Sequence, residues 1–226
     1  MDFKYLLIDL SNYIGAVPCM IGIYCWNNLT SLMKGYLIGV IINACIGILS
    51  IISAKLEINN HFVFPLLAIN TGILYCFMFW HLSENKIIRY SITVFYLFFI
   101  LYIFYDLITN NIKYFNFQLF TLIDISSLIL SAIWLNKIIS SQFNITKKPL
   151  LWLLFSIFSG ALYDVLLTQL SGKMALYFTN KWQDIFALNI SPIFQIIKMS
   201  ILAYAFYLAR HQKFNSNKIP DLEQGR

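Results

Sequence analysis

Charge is the first thing this sequence is short of. Asp, Glu, Lys and Arg make up 12% of its 226 residues, against roughly 25% in a soluble domain. About half the charge that would keep such a surface in water is therefore missing, and lipid is the surrounding that tolerates the loss. Histidine is scarce as well. His61 and His81 stand at opposite ends of one apolar run, too far apart to share a metal, and His211 lies near the C-terminus. The stretch His81-Leu82-Ser83-Glu84 reads as a solvated helix end. The four cysteines, Cys19, Cys25, Cys45 and Cys76, sit inside apolar runs without metal-type spacing and read as small hydrophobes. There is no glycine-rich phosphate loop, no nucleophile elbow and no zinc-binding helix. The loops are too short to hold one. No cofactor is expected.

What the chain has is apolar sequence: 59% hydrophobic residues and a mean hydropathy of +0.70. A helix needs about 20 mostly apolar residues to cross a hydrocarbon core of roughly 30 Å. Seven stretches qualify, over 5–26, 34–54, 62–82, 87–108, 116–138, 149–170 and 186–209. Polar punctuation separates them, as at Asn27-Asn28-Leu29-Thr30 and Thr109-Asn110-Asn111. Backbone groups in lipid must be satisfied internally, so each span is a helix or part of a closed barrel. Barrel strands would alternate over about ten residues, and these runs are longer and continuously apolar. The expectation is an all-α, polytopic helix bundle: one membrane domain over 1–209 and a short polar tail over 210–226. The first span lacks a basic leader and a small-residue cleavage site, so it reads as a helix rather than a signal peptide.

The net charge of +6 does not point to nucleic acid, because the basic residues sit in short loops and form no stripe. They orient the chain instead. Loops on the N-terminal side carry five cations, Lys4, Lys55, Lys113, Lys173 and Lys181. The other side carries ten: Lys34, Lys86, Arg89, Lys137, Lys147, Lys148, Arg210, Lys213, Lys218 and Arg226. The excess belongs in the cytoplasm, which puts the N-terminus outside and the protein in the inner (plasma) membrane as a multi-pass chain. Trp26, Trp80, Trp152 and Trp182 fit interfacial anchors.

A repeat is legible too. Leu7-Ile8-Asp9-Leu10-Ser11 resembles Leu122-Ile123-Asp124-Ile125-Ser126, and the same shift lays the second span over the sixth. Pro65 opens the third span and Pro192 the seventh. Three helices, a linker helix and three more in the same sense is the order of parallel-repeat transporters.

Ionisable residues inside spans cost on the order of 2.5–3.5 kcal/mol each at helix centre on insertion scales, so they mark candidate function. They are Asp9, Asp106, Asp124, Asp164 and Lys198. With the orientation above, the acids fall in the outer half and Lys198 near the midplane. Asp124, Ser127 and Ser131 share one helix face, as do Ser191, Gln195 and Lys198. Ser156, Gly160 and Asp164 are spaced by four, a small-residue seam of the kind that lets helices approach in lipid. The expected ligand- or ion-binding residues are Asp164, Lys198, Asp124, Gln195 and Asp9. Asp164 and Lys198 also suit a plain structural pair that fixes helix packing, and Asp9 and Asp106 lie near enough to the surface to be solvated.

Pro149-Leu150-Leu151-Trp152, Ser159-Gly160-Ala161-Leu162-Tyr163 and Gln195-Ile196-Ile197-Lys198 resemble stretches of small bacterial seven-helix inner-membrane proteins of unknown function, a likeness that implies topology and no activity. A mid-helix lysine in the seventh span is also where microbial rhodopsins carry retinal. Here the third span has no acid for a counterion, and Phe194 stands one turn before Lys198 where those proteins place an aspartate. The leading expectation is a small-molecule or ion transporter, or a related ligand-binding membrane module. A sensor or scaffold signalling through a partner comes second and a lipid-modifying enzyme third. Expected partners are the bilayer, a small molecule or ion, and a membrane protein or a second copy.

Overall fold

A computed structural model describes residues 10–11, 13–57, 62–110, 118–141, 148–177 and 190–212. Most of those residues are helical, with no strand among them. The helices are α1 (Ala16–Tyr24), α2 (Ser31–Lys55), α3 (Val63–Leu82), α4 (Lys86–Asn110), α5 (Gln118–Ser141), α6 (Pro149–Tyr177) and α7 (Ser191–Gln212). Six of them, α2 to α7, are long and apolar enough to cross a membrane, which makes this a multi-pass membrane protein in its architecture. The first expected span, 5–26, is described from residue 10 onward, with helical residues at 10, 11, 13 and 14 ahead of α1. Asp9 lies outside the described residues.

Lipid explains the inverted look of the surface. Ile87, Val94, Phe98, Leu101, Tyr105 and Ile108 of α4 are all exposed, which in water would be an aggregation hazard and in a bilayer is the solvated face. The interior is drier and tighter. Leu37, Phe79, Met78, Ile103, Ile123, Leu153, Leu154 and Phe206 are fully buried and join six helices in one core.

The order in which the helices neighbour one another positions the polar residues. α1 packs on α2, α2 on α3, α3 on α5, α5 on α6, α6 on α7, and α7 returns to α1. α4 lies against α3, outside that ring. Asn70 crosses from α3 to α2, its Nδ2 donating to the Gly39 carbonyl at 2.9 Å and to Asn43 Oδ1 at 2.8 Å. These two amides, polar residues in successive spans, therefore clamp the two helices together.

One end of the bundle gathers cations over aromatic rings. Lys34 sits 5.4 Å from the Trp26 ring, Arg89 4.8 Å from Trp80, Lys137 4.8 Å from Trp134, and Arg210 5.0 Å from Tyr24. Lys137 also pairs with Glu84 in the α3–α4 turn at 3.1 Å. Aromatics and cations at a shared level are what a membrane interface selects. His81 is exposed at this end, its Nδ1 3.0 Å from the Phe77 carbonyl. Of the cysteines, Cys19 and Cys25 are buried among apolar neighbours, and all four are free thiols.

Candidate functional site

Lys198 lies seven residues after the start of α7 at Ser191, and its backbone is tied across to α6. Ser156 Oγ donates to the Lys198 carbonyl at 3.1 Å, which holds the two helices in register. One turn along α6, Gly160 offers no side chain, and the lysine occupies the space. A Cβ built on Gly160 would stand 2.5 Å from Lys198 Cε and 2.7 Å from Nζ. One turn further, Asp164 Oδ2 lies 3.9 Å from Nζ. The seam Ser156, Gly160, Asp164 thus faces α7 as its spacing implies. Ser156 anchors the partner helix, Gly160 leaves the gap, and Asp164 supplies the counter-charge.

The pair is not sealed. The Lys198 side chain is 26% exposed and that of Asp164 42%. They stand in a recess of about 190 Å³ between α6 and α7, together with Gln195 and Ser159. Its walls are aromatic and aliphatic: Phe155, Tyr163, Phe194, Ile197 and Ile201. Tyr163 and Phe194 stack across the two helices with centroids 4.6 Å apart and planes 16° from parallel. Ser159 Oγ donates to the Ser156 carbonyl at 3.2 Å.

Asp124 is elsewhere. It is buried on α5 and does not line the recess, yet it is near enough for its charge to interact with those of Asp164 and Lys198. Ser127 and Ser131 are buried on the same face, bonded back to the carbonyls of Asp124 and Leu128 at 3.0 and 3.1 Å. They fill the interior without reaching the recess. Behind them Tyr75 of α3 is buried within electrostatic range of Asp124, Asp164, Tyr36 and Tyr96. Tyr96 in turn shares a 3.1 Å hydrogen bond with Ser126. Asp106 is buried on α4 and is not in the recess.

The structure therefore brings together Asp164, Lys198 and Gln195 of the expected residues, sets Asp124 behind them, and leaves Asp9 undescribed. Sequence reasoning missed the walls of the recess and the tyrosines of the interior.

Among the described residues, no group of three His, Cys, Asp or Glu side chains converges on a metal position. No family model, characterised protein or solved structure significantly matches this chain. Function has to be argued from the recess itself.

Proposed function

We propose that this chain is a seven-span membrane protein of the ligand-binding or transporter class, with its site at Lys198 and Asp164. One observation carries the reading: two oppositely charged residues on neighbouring helices, Lys198 and Asp164, line one part-exposed recess together with Gln195. Charge-assisted hydrogen bonds of an engaged pair run about 2.7–2.9 Å, and this pair is at 3.9 Å. A structural staple would be closed and buried. Gly160 leaves room for the lysine to move, and Gln195 offers both a donor and an acceptor to an occupant. A ligand that takes Lys198 from Asp164 exchanges one partner of the lysine for another.

The neighbour order supports two three-helix units around a linker helix, α1–α2–α3 and α5–α6–α7 with α4 aside. Asn70 lies seven residues after the start of α3, as Lys198 does in α7. Each crosses to the preceding helix, so the amide clamp of one half answers the ion pair of the other. The cation–aromatic end belongs in the cytoplasm by the positive-inside rule, with the N-terminus outside and the chain in the inner (plasma) membrane. A cysteine introduced at Ser140 tests this. It reacts with a membrane-impermeant maleimide only after the cells are opened, and labelling of intact cells overturns the orientation.

Thermal unfolding with a panel of small carboxylates, amines, sugars, alkali cations and single-chain amphiphiles tests the site. At 100 times its Kd a ligand adds about 2.7 kcal/mol, which shifts Tm by about 5–10 °C for a chain of this size. Lys198→Met shows no such shift. If no member of the panel separates wild type from Lys198→Met, the pair is structural and the scaffold reading takes over.

A further inference from the structure

The cation–aromatic end of the bundle is not uniform. Around the α3–α4 turn three cations, Lys86, Arg89 and Lys137, meet one acid, Glu84. Glu84 is taken by Lys137, whose Nζ lies 3.1 Å from its carboxylate and 4.8 Å from the Trp134 ring. Lys86 and Arg89 are left over. Among the described residues no carboxylate pairs with either. They stand three apart at the start of α4 and are neighbours on its surface. Arg89 is also fixed in place. Its Nε donates to the Ser83 carbonyl, and its guanidinium sits 4.8 Å over the Trp80 ring of α3. With Nε engaged, the Nη hydrogens remain for another acceptor.

Two apolar rails run from these cations into the membrane. Along α3, Ile73 stands seven residues before Trp80 and shares its face, and both are exposed. Along α4, Leu97 stands eleven residues after Lys86, about three helical turns on and so on the same face, and is exposed too. α4 packs on α3 outside the ring of the other helices, so the two rails border one seam and meet lipid. Leu97 is about 16 Å along the helix from Lys86 at roughly 1.5 Å per residue. That is about the depth of one leaflet in a core roughly 30 Å thick.

Charge and shape together select the occupant. Two cations without an acid call for an anion, and the fork of a guanidinium matches the paired oxygens of a phosphate. A soluble phosphate has no use for apolar rails, whereas a diacyl lipid has one chain for each. A zwitterionic head would bring its own ammonium against Lys86 and Arg89, and an anionic head brings none. We infer that the α3–α4 seam binds one anionic phospholipid, its phosphodiester between Arg89 and Lys86 and its chains along Ile73 and Leu97. The site is separate from the Lys198 recess and does not depend on what that recess binds. Each Lys or Arg near an anionic membrane surface is worth about fivefold in affinity, so the two together contribute about thirtyfold.

Native mass spectrometry of the full protein in detergent micelles tests the site, with dioleoylphosphatidylglycerol and dioleoylphosphatidylcholine as probes. Wild type retains one phosphatidylglycerol at a collision energy that strips phosphatidylcholine. Lys86→Gln combined with Arg89→Gln weakens that complex by about thirtyfold. Lys86→Gln alone, at an exposed position, weakens it by about fivefold and carries the reading if the double variant does not fold. Lys34→Gln combined with Arg210→Gln removes the same charge from α2 and α7 and leaves the complex as it is. Glycerol phosphate, the head without chains, does not compete. The proposal is overturned by equal retention of the two lipids or by a complex indifferent to Lys86→Gln. An equal loss in the Lys34 and Arg210 variant overturns it as well, by making the attraction a diffuse one. So does displacement by glycerol phosphate, which makes the ligand a soluble phosphate.

Discussion

Lys198→Met lowers the unfolding temperature and removes every ligand response, whereas Lys198→Met combined with Asp164→Leu recovers much of the temperature and none of the response. The single variant deletes the cation that stands among Asp164 and Asp124. Breaking a fully buried pair from one side costs about 3–5 kcal/mol, because the partner is left as an uncompensated charge. This pair stands 3.9 Å apart, wider than an engaged charge-assisted hydrogen bond, so the cost falls toward about 2 kcal/mol, a drop of about 4–8 °C for a chain of this length. Replacing both members with apolar side chains is often neutral or stabilising, since the desolvation of two charges disappears with their attraction. Asp124 keeps its buried place in either variant and still lacks the nearby ammonium, which makes the recovery partial. Thermal unfolding of wild type, the two single variants and the double variant in one detergent, with and without the stabilising compound, reads both quantities at once. A double variant that keeps its ligand shift would remove the pair from the site.

The reason so much of this fold can be read from the chain is that lipid imposes a rule of length. A run of apolar residues either crosses the core or does not, and the expected span 62–82 differs from α3, Val63–Leu82, by one residue. The same rule made Asp164 and Lys198 conspicuous, because few side chains are so costly where they stand, and the spacing of Ser156, Gly160 and Asp164 showed that they share a seam. Composition hid the rest. With aromatics at 17% of the chain, nothing separates Phe155, Tyr163 and Phe194 from rings that only meet lipid. Asp124 was expected to line the same site, and its place behind the recess comes from α5 packing on α6 with that face inward. The amide clamp of Asn43 and Asn70 is likewise set by the packing of α2 on α3.

Gly39 and Gly160 both stand at helix crossings, and the same substitution has opposite effects at them. At Gly39 an added Cβ meets Leu74, 2.5 Å from Cδ1 and 3.1 Å from Cδ2. Leu74 is buried in the α2–α3 core and has nowhere to turn, so the helices must separate and stretch the Asn70 bond to the Gly39 carbonyl. Overpacking of this kind costs about 1–3 kcal/mol, more than the roughly 1 kcal/mol that alanine returns in helix propensity. Gly39→Ala therefore unfolds at a lower temperature and binds ligand as wild type does. At Gly160 the added methyl meets the flexible end of Lys198: 2.5 Å from Cε, 2.7 Å from Nζ and 2.9 Å from Cδ. The lysine swings aside at little cost, and the propensity gain leaves stability at or slightly above the wild-type level. The ammonium, however, no longer stands where it faces Asp164 and Gln195, and ligand affinity falls by at least about tenfold, equivalent to roughly 1.4 kcal/mol. Measuring unfolding temperature and affinity on both variants separates packing from function in one experiment. A Gly160→Ala protein that binds as tightly as wild type would show that the position of the lysine head is immaterial, and that the recess works, if at all, through its walls.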